Sequence, residues 1–147
     1  MHFPENGNHG CGKKCSFCPF EQMNYNIPIK PTDDEVLSFI SNVQEGGKIQ
    51  ICGAGDPLFN FEKNRDYLLH LIELIHLKGY KIELVTKYTE VIEEYADILL
   101  PNINAFCFSV EVLSKSIFNL INKITSLGKY VRISKVANFT ADIHNIN

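Results

Sequence analysis

Residues 80–86 read YKIELVT, and residues 105–111 read AFCFSVE. Both stretches are short, apolar and rich in β-branched or aromatic residues, and a longer segment with helical spacing of its apolar residues follows each, which predicts a strand and then a helix. The pattern runs along most of the chain. The predicted strands are 48–52, 80–86, 105–111 and 130–136. Strands that alternate with crossover helices favour a parallel sheet with right-handed connections.

Four helices accompany these strands. Thr32 and Glu35 form a capping-box pattern at the start of the first helix, whose apolar spacing continues to Val43 before Gly46-Gly47. The other helices are predicted at 63–78, 90–99 and 114–127. The fold class is therefore α/β, with parallel βα repeats in an open, partial TIM-like barrel, or alternatively in a doubly wound sheet.

The chain has 147 residues, which suits a single domain but is short for a complete eight-fold barrel. We expect a loop and connection over 1–31, the βα repeats over 32–137, and a loosely held tail over 138–147. The net charge of −3 and the absence of a clear basic patch argue against nucleic-acid binding. No apolar run approaches the roughly 20 residues of a membrane span.

The first ten residues are polar and do not resemble a signal peptide, so we expect a cytoplasmic location. In that reducing environment, cysteines more often serve as metal ligands or catalytic groups than as disulfides. The sequence contains five cysteines, and three of them lie within eight residues. Cys52 and Cys107 are most simply small core residues. His70 and His76 lie on one helix and are expected to be structural or exposed.

Alternation along the strands assigns one face of the sheet to helix packing and the other to a polar interior. Residues such as Ile82, Leu84 and Phe106 mark the helix-covered face. The opposite, inner face carries Gln50, Cys52, Glu83, Val85, Cys107, Ser109, Glu111, Arg132 and Ser134. A packed barrel core would be apolar on this side as well. The mostly polar inner face therefore predicts an open lumen that holds a polar ligand.

Cys11, Cys15 and Cys18 have the spacing C-x-x-x-C-x-x-C, with the aromatic residue Phe17 just before the third cysteine. Three thiolates on one loop can hold three irons of a cubane cluster and leave the fourth iron open. A Cys3His zinc site that includes His9 is the alternative from spacing alone, and a reactive thiol cluster is a further one.

The cysteine spacing together with Phe17 resembles the signature of the radical S-adenosylmethionine superfamily. The resemblance implies a 4Fe–4S cluster on the three cysteines, with S-adenosylmethionine bound at the open iron and backbone near Phe17 close to the adenine. It also implies reductive cleavage of S-adenosylmethionine to a 5′-deoxyadenosyl radical, which removes hydrogen from a substrate. A flavodoxin-like or ferredoxin-like protein is the implied electron donor.

A second motif, Gly53-Ala54-Gly55-Asp56-Pro57, follows the first predicted strand. It resembles the glycine-glycine-acidic-proline turn of the same superfamily, although Ala54 stands where a glycine is usual. The resemblance implies that the backbone of this turn and Asp56 help to hold the methionyl ammonium of S-adenosylmethionine. Glycines permit the close backbone approach that this role requires.

Three further residues are candidates for cofactor binding. The resemblance places contacts to the ribose hydroxyls at Ser109 and Glu111, although a capping serine and a solvated glutamate explain these residues equally well. Arg132 points inward by alternation and is suited to a carboxylate. A surface position is the alternative for Arg132.

The substrate is not specified by any motif. The short length and the Gly-Asp-Pro-Leu turn resemble activating enzymes that install a glycyl radical on a larger partner, and a macromolecule that covers the open side of a short barrel is the expected substrate. The alternatives are a non-catalytic zinc-binding interaction module and a degenerate family member that binds S-adenosylmethionine without turnover.

Overall fold

The computed structural model describes residues 30–51 and 55–135, which form one parallel sheet flanked by helices. In chain order the elements are α1 (Asp33–Ile40), β1 (Lys48–Ile51), α2 (Phe61–Leu77), β2 (Lys81–Thr86), α3 (Thr89–Glu94), α4 (Ala96–Asn102), β3 (Ala105–Val110), α5 (Lys115–Ser126) and β4 (Tyr130–Lys135). The four predicted strands are present. Their bounds agree with the prediction to within a residue over the described positions.

The strands lie in the order β1-β2-β3-β4, and every neighbouring pair is parallel. A doubly wound sheet reverses its strand order at a switch point, whereas a barrel adds each strand beside the preceding one. The described strands follow the second pattern. The prediction of an open, partial βα barrel is therefore confirmed, and the doubly wound alternative is not adopted.

The hydrophobic core lies on one face of this sheet. Ile49, Ile82, Leu84, Phe106 and Phe108 are almost completely buried in one cluster with apolar residues from all five described helices. Burial of each such side chain contributes about 1.5–3 kcal/mol to folding. No residue of the opposite strand face belongs to that cluster within the described residues. Alternation thus assigned the two faces correctly.

The start of α1 has the predicted capping box. The Thr32 hydroxyl accepts a hydrogen bond from the Glu35 backbone N–H at 3.4 Å, and the Glu35 carboxylate accepts one from the Thr32 N–H at 2.8 Å. The helix ends at Ile40, so the prediction that it continues to residue 43 is wrong. At that end, the Ser41 hydroxyl donates to the Ser38 carbonyl at 2.7 Å, a local bond that competes with helix continuation.

The predicted single helix over 90–99 is in fact two short helices, α3 and α4, which meet at Tyr95. At Tyr95 the backbone leaves helical values, with φ −110° and ψ 33°. The Tyr95 ring packs 4.7 Å from the ring of Phe61, and its hydroxyl donates to Glu62. Contact with the first turn of α2 therefore fixes the bend, which local apolar spacing does not reveal.

None of the described helices is both long and apolar enough to cross a membrane.

Candidate functional site

The carboxyl ends of the described strands meet along one edge of the sheet, as parallel pairing requires. Asp56 lies in the loop after β1, Thr86 ends β2, and Ser109 is the second-last residue of β3. Ligands of parallel βα folds bind at this edge, because the loops that follow the strands gather there. Asp56 of the predicted turn and Ser109, for which a ribose contact is predicted, are thus on the same edge.

Asp56 is the most firmly held polar residue of this edge. Its side chain is 5% exposed. Oδ1 accepts hydrogen bonds from the Thr86 hydroxyl at 2.7 Å and from the Leu58 N–H at 3.0 Å, and Oδ2 accepts one from the Lys87 N–H at 2.6 Å. The carboxylate therefore joins the loop after β1 to the end of β2.

Burial raises the pKa of Asp56 above its ordinary value, although its three hydrogen bonds and the charge of Lys87 act in the opposite direction. Thr86 is itself 1% exposed, and its hydroxyl oxygen also accepts from the Tyr88 N–H at 2.9 Å. The Asp56 carboxylate is thus part of a buried network. Its observed contacts hold the backbone of the Gly55-Asp56-Pro57 segment in place.

The remaining candidate residues do not all converge. Ser109 is half-buried and pairs in register with Ser134 of β4. Glu111 is exposed and follows the last residue of β3. Arg132 lies beside Cys107 in the sheet, and its Nη2 is 3.5 Å from Oε2 of Glu83. The structure therefore brings Arg132 to Glu83, away from the Asp56 network.

The inner face is polar and partly open, as predicted. Gln50, Arg132 and Ser134 are exposed, whereas Glu83 and Cys107 are buried. The Gln50 side chain donates to Oε2 of Glu83 at 2.8 Å, across the neighbouring strands β1 and β2. A buried acid between flanking polar side chains is the main feature of this face.

Several predicted site residues lie outside the described part of the chain. They are Cys11, Cys15, Phe17, Cys18, Gly53 and Ala54, together with His9 of the zinc alternative and Cys52. Within 30–51 and 55–135, no group of three or more His, Cys, Asp and Glu side chains is placed to hold a metal ion. Cys107 is buried as predicted, and His70 and His76 are exposed, with His70 2.9 Å from Asp33.

Sequence reasoning missed Thr86 and the Lys87 N–H as partners of Asp56. The available signal was their position. Thr86 ends the strand next to β1, so in a parallel sheet it must lie beside the loop that carries Asp56. A hydroxyl and a backbone donor at that point are suitable partners for a buried acid.

Comparison with protein families adds an independent observation to this geometry. The model of the Radical SAM superfamily matches residues 6–138, which is most of the chain. The chain belongs to the radical SAM superfamily. Comparisons with curated proteins and with solved structures gave no match.

The matched region of this radical SAM chain includes the cysteine motif, the Gly-Ala-Gly-Asp turn and all four described strands. Members of the superfamily typically use a 4Fe–4S cluster and S-adenosylmethionine. Three cysteines this close in the sequence are the type of donor set that holds a cluster with one open iron.

Proposed function

We propose that this radical SAM protein is an enzyme in which Cys11, Cys15 and Cys18 hold a 4Fe–4S cluster. When bound, the cluster supplies the electron that cleaves S-adenosylmethionine to methionine and a 5′-deoxyadenosyl radical, which takes hydrogen from a substrate. The observation that carries the proposal is the Asp56 network on the carboxyl edge of a family-matched barrel. A reducing cytoplasm and a flavodoxin-like or ferredoxin-like electron donor fit this chemistry.

The residues of the chain have separate roles in the proposal. The three thiolates would ligate iron, and the backbone at Phe17 is assigned to the adenine. The turn at 53–56 offers backbone groups to the methionyl ammonium, and Asp56 fixes the position of that turn through Thr86 and Lys87. Ser109 and Glu111 are assigned to the ribose hydroxyls, for which a hydroxyl and a carboxylate are suitable partners.

The proposal is tested by anaerobic reconstitution with iron and sulfide, followed by absorption spectroscopy and an iron count. A chemical reductant and S-adenosylmethionine should then yield 5′-deoxyadenosine and methionine. A colourless protein that holds one zinc ion would instead favour the zinc-binding module. A loaded cluster that binds S-adenosylmethionine without cleaving it would favour the degenerate family member.

Replacement of Gly55 by valine should weaken S-adenosylmethionine binding and leave the iron content unchanged. The reason is that a branched side chain obstructs close approach of the cofactor to the backbone but does not touch metal ligation. Calorimetry on reconstituted protein measures the affinity, and Gly55→Ala is the matched variant, with an intermediate effect. An unchanged affinity for Gly55→Val would mean that this loop is only a connector.

A macromolecular substrate is the second part of the proposal. β4 has no strand on its outer side within the described residues, and its Tyr130 and Ile133 are exposed large side chains. A radical at an open sheet is poorly shielded from water. A protein or other large molecule that covers the opening would provide that shielding, and this agrees with the resemblance to glycyl-radical activating enzymes.

Deuterium labelling tests the macromolecular substrate. Without a partner, the reconstituted enzyme should cleave S-adenosylmethionine slowly. A deuterated partner protein should raise the rate and transfer deuterium to 5′-deoxyadenosine. Efficient transfer from a free small metabolite, with no macromolecule present, would show that this part of the proposal is wrong.

A further inference from the structure

Glu83 is a buried acid on the inner face of the sheet, outside the Asp56 network. Its side chain is 3% exposed. Oε2 accepts a hydrogen bond from Gln50 at 2.8 Å and lies 3.4 Å from Nζ of Lys48 and 3.5 Å from Nη2 of Arg132. The second oxygen, Oε1, is buried and accepts no hydrogen bond from any of the described residues. Three long side chains from β1 and β4 therefore converge on one carboxylate oxygen of β2.

Stabilisation of the fold does not by itself explain why Glu83 is buried here. Burial of a carboxylate carries a large desolvation cost, and an oxygen without a donor adds to it. Apolar residues often replace such buried ionic groups at no loss of stability. Val85, the next inner-face residue of β2, is apolar. The most direct effect of Glu83 is to fix the positions of the two cations that contact it.

Within the described part of the chain, Lys48 and Arg132 keep N–H donors that their contacts with Glu83 do not use. The side chains of Lys48 and Arg132 are 48% and 49% exposed, so about half of each remains accessible. A guanidinium carries five N–H donors in a planar fork, and one nitrogen of Arg132 accounts for its contact with Glu83. The other edge of that fork is suited to an oxyanion.

The charge of the inner face favours an anionic ligand. Within the four described strands, Lys48, Lys81 and Arg132 are the basic residues on this face and Glu83 is the acid, while Glu111 follows the end of β3. The face therefore has a net positive charge even when Glu83 is ionised. Such a surface attracts anions and repels cations.

This group also lies deeper than the cofactor edge. Glu83 precedes Thr86 by three residues on β2, which is about 10 Å along a strand. Arg132 is level with Val85 in the sheet and reaches toward the amino ends of the strands to contact Glu83. A ligand held there occupies a different layer of the inner face from a ligand at the Asp56 turn.

We infer that Lys48 and Arg132, held in place by Glu83, form an oxyanion-binding subsite for a carboxylate or phosphate group of the substrate. The inference rests on the proposed function, because it places the substrate on the same inner face as the radical. It assigns Arg132 to the substrate rather than to S-adenosylmethionine. Glu83 is a positioning residue in this subsite.

Calorimetric titration of the full chain with inorganic phosphate and with succinate, at constant ionic strength, tests the subsite. The wild-type protein should bind at least one of the two anions. The anion that binds more tightly identifies whether the substrate group is a phosphate or a carboxylate. Arg132→Gln and Lys48→Gln should each weaken that binding by about tenfold, the loss of one charge-assisted contact. The matched control is Lys81→Gln, which removes the same charge from the same face and should change the affinity less than twofold.

Glu83→Gln separates positioning from simple charge. If Glu83 positions the cations, this variant binds the anion more weakly and unfolds at the same or a higher temperature. Stronger anion binding would show that Glu83 only screens the cations and would overturn its role. Binding of neither anion, or an equal loss in Lys81→Gln, would overturn the subsite. Iron content and S-adenosylmethionine cleavage are measured separately, so a failed subsite and a failed cluster are distinguishable.

Discussion

Replacement of Cys11, Cys15 or Cys18 by alanine should reduce cluster iron after anaerobic reconstitution from about four per chain to near zero. Two remaining thiolates cannot retain three irons of a cubane cluster. The measurements are the iron and sulfide contents and the visible absorption of each purified variant. Because each cysteine supplies an essential ligand, the three single variants should behave alike.

Cys107→Ala is the matched control for these variants. Cys107 is buried on β3, and its replacement removes one sulfur atom from the interior. The iron content should stay at the wild-type value, and Cys52→Ala should behave in the same way. An iron loss in Cys52→Ala or Cys107→Ala that equals the loss in Cys15→Ala would contradict the predicted ligand set.

Replacement of Asp56 by alanine should have the largest effect on stability. It leaves the Thr86 hydroxyl and the backbone N–H groups of Leu58 and Lys87 without their buried acceptor. An unsatisfied buried donor costs about 1–3 kcal/mol. We expect the free energy of unfolding to fall by about 3 kcal/mol, measured by chemical denaturation. The affinity for S-adenosylmethionine should also fall, because the turn is no longer held against β2.

Two further variants are compared with Asp56→Ala to show that its loss of stability comes from the buried network. Asp66→Ala removes an exposed carboxylate from α2 and should change the free energy of unfolding by less than about 0.5 kcal/mol. Thr86→Val removes one donor to Asp56 and the acceptor of the Tyr88 N–H, and it should cost about 1–2 kcal/mol, less than Asp56→Ala. An Asp56→Ala protein as stable as Asp66→Ala would contradict the structural role of the network. Full stability with weakened cofactor binding would instead mean that Asp56 contacts the cofactor directly.

The sequence predicted the fold because its local signals agree with one another. Strand residues such as Ile82 and Leu84 alternate, so their side chains could be assigned to the helix-covered face before any tertiary contact was known. Thr32 and Glu35 marked the start of α1 through short-range hydrogen bonds. The cysteine spacing and the Gly-Ala-Gly-Asp turn predicted the superfamily, which the family comparison confirms.

Other features depended on contacts between distant residues. The bend at Tyr95 is fixed by Phe61 and Glu62, which lie more than 30 positions earlier in the chain. The choice between a partial barrel and a doubly wound sheet required the strand order, because both folds produce the same local alternation of strands and helices.

The sequence by itself therefore determined the chemistry that this radical SAM chain offers: its candidate thiolate ligands, its glycine-containing turn and its polar strand face. Only the tertiary structure decided which groups meet. The Thr86 hydroxyl and the Lys87 N–H donate hydrogen bonds to Asp56. Arg132 of β4 forms an ion pair with Glu83 of β2, although β3 lies between these two strands. The physical reason is that hydrogen bonds and ion pairs between strands depend on order and register, whereas residue type and local spacing record only which groups are available.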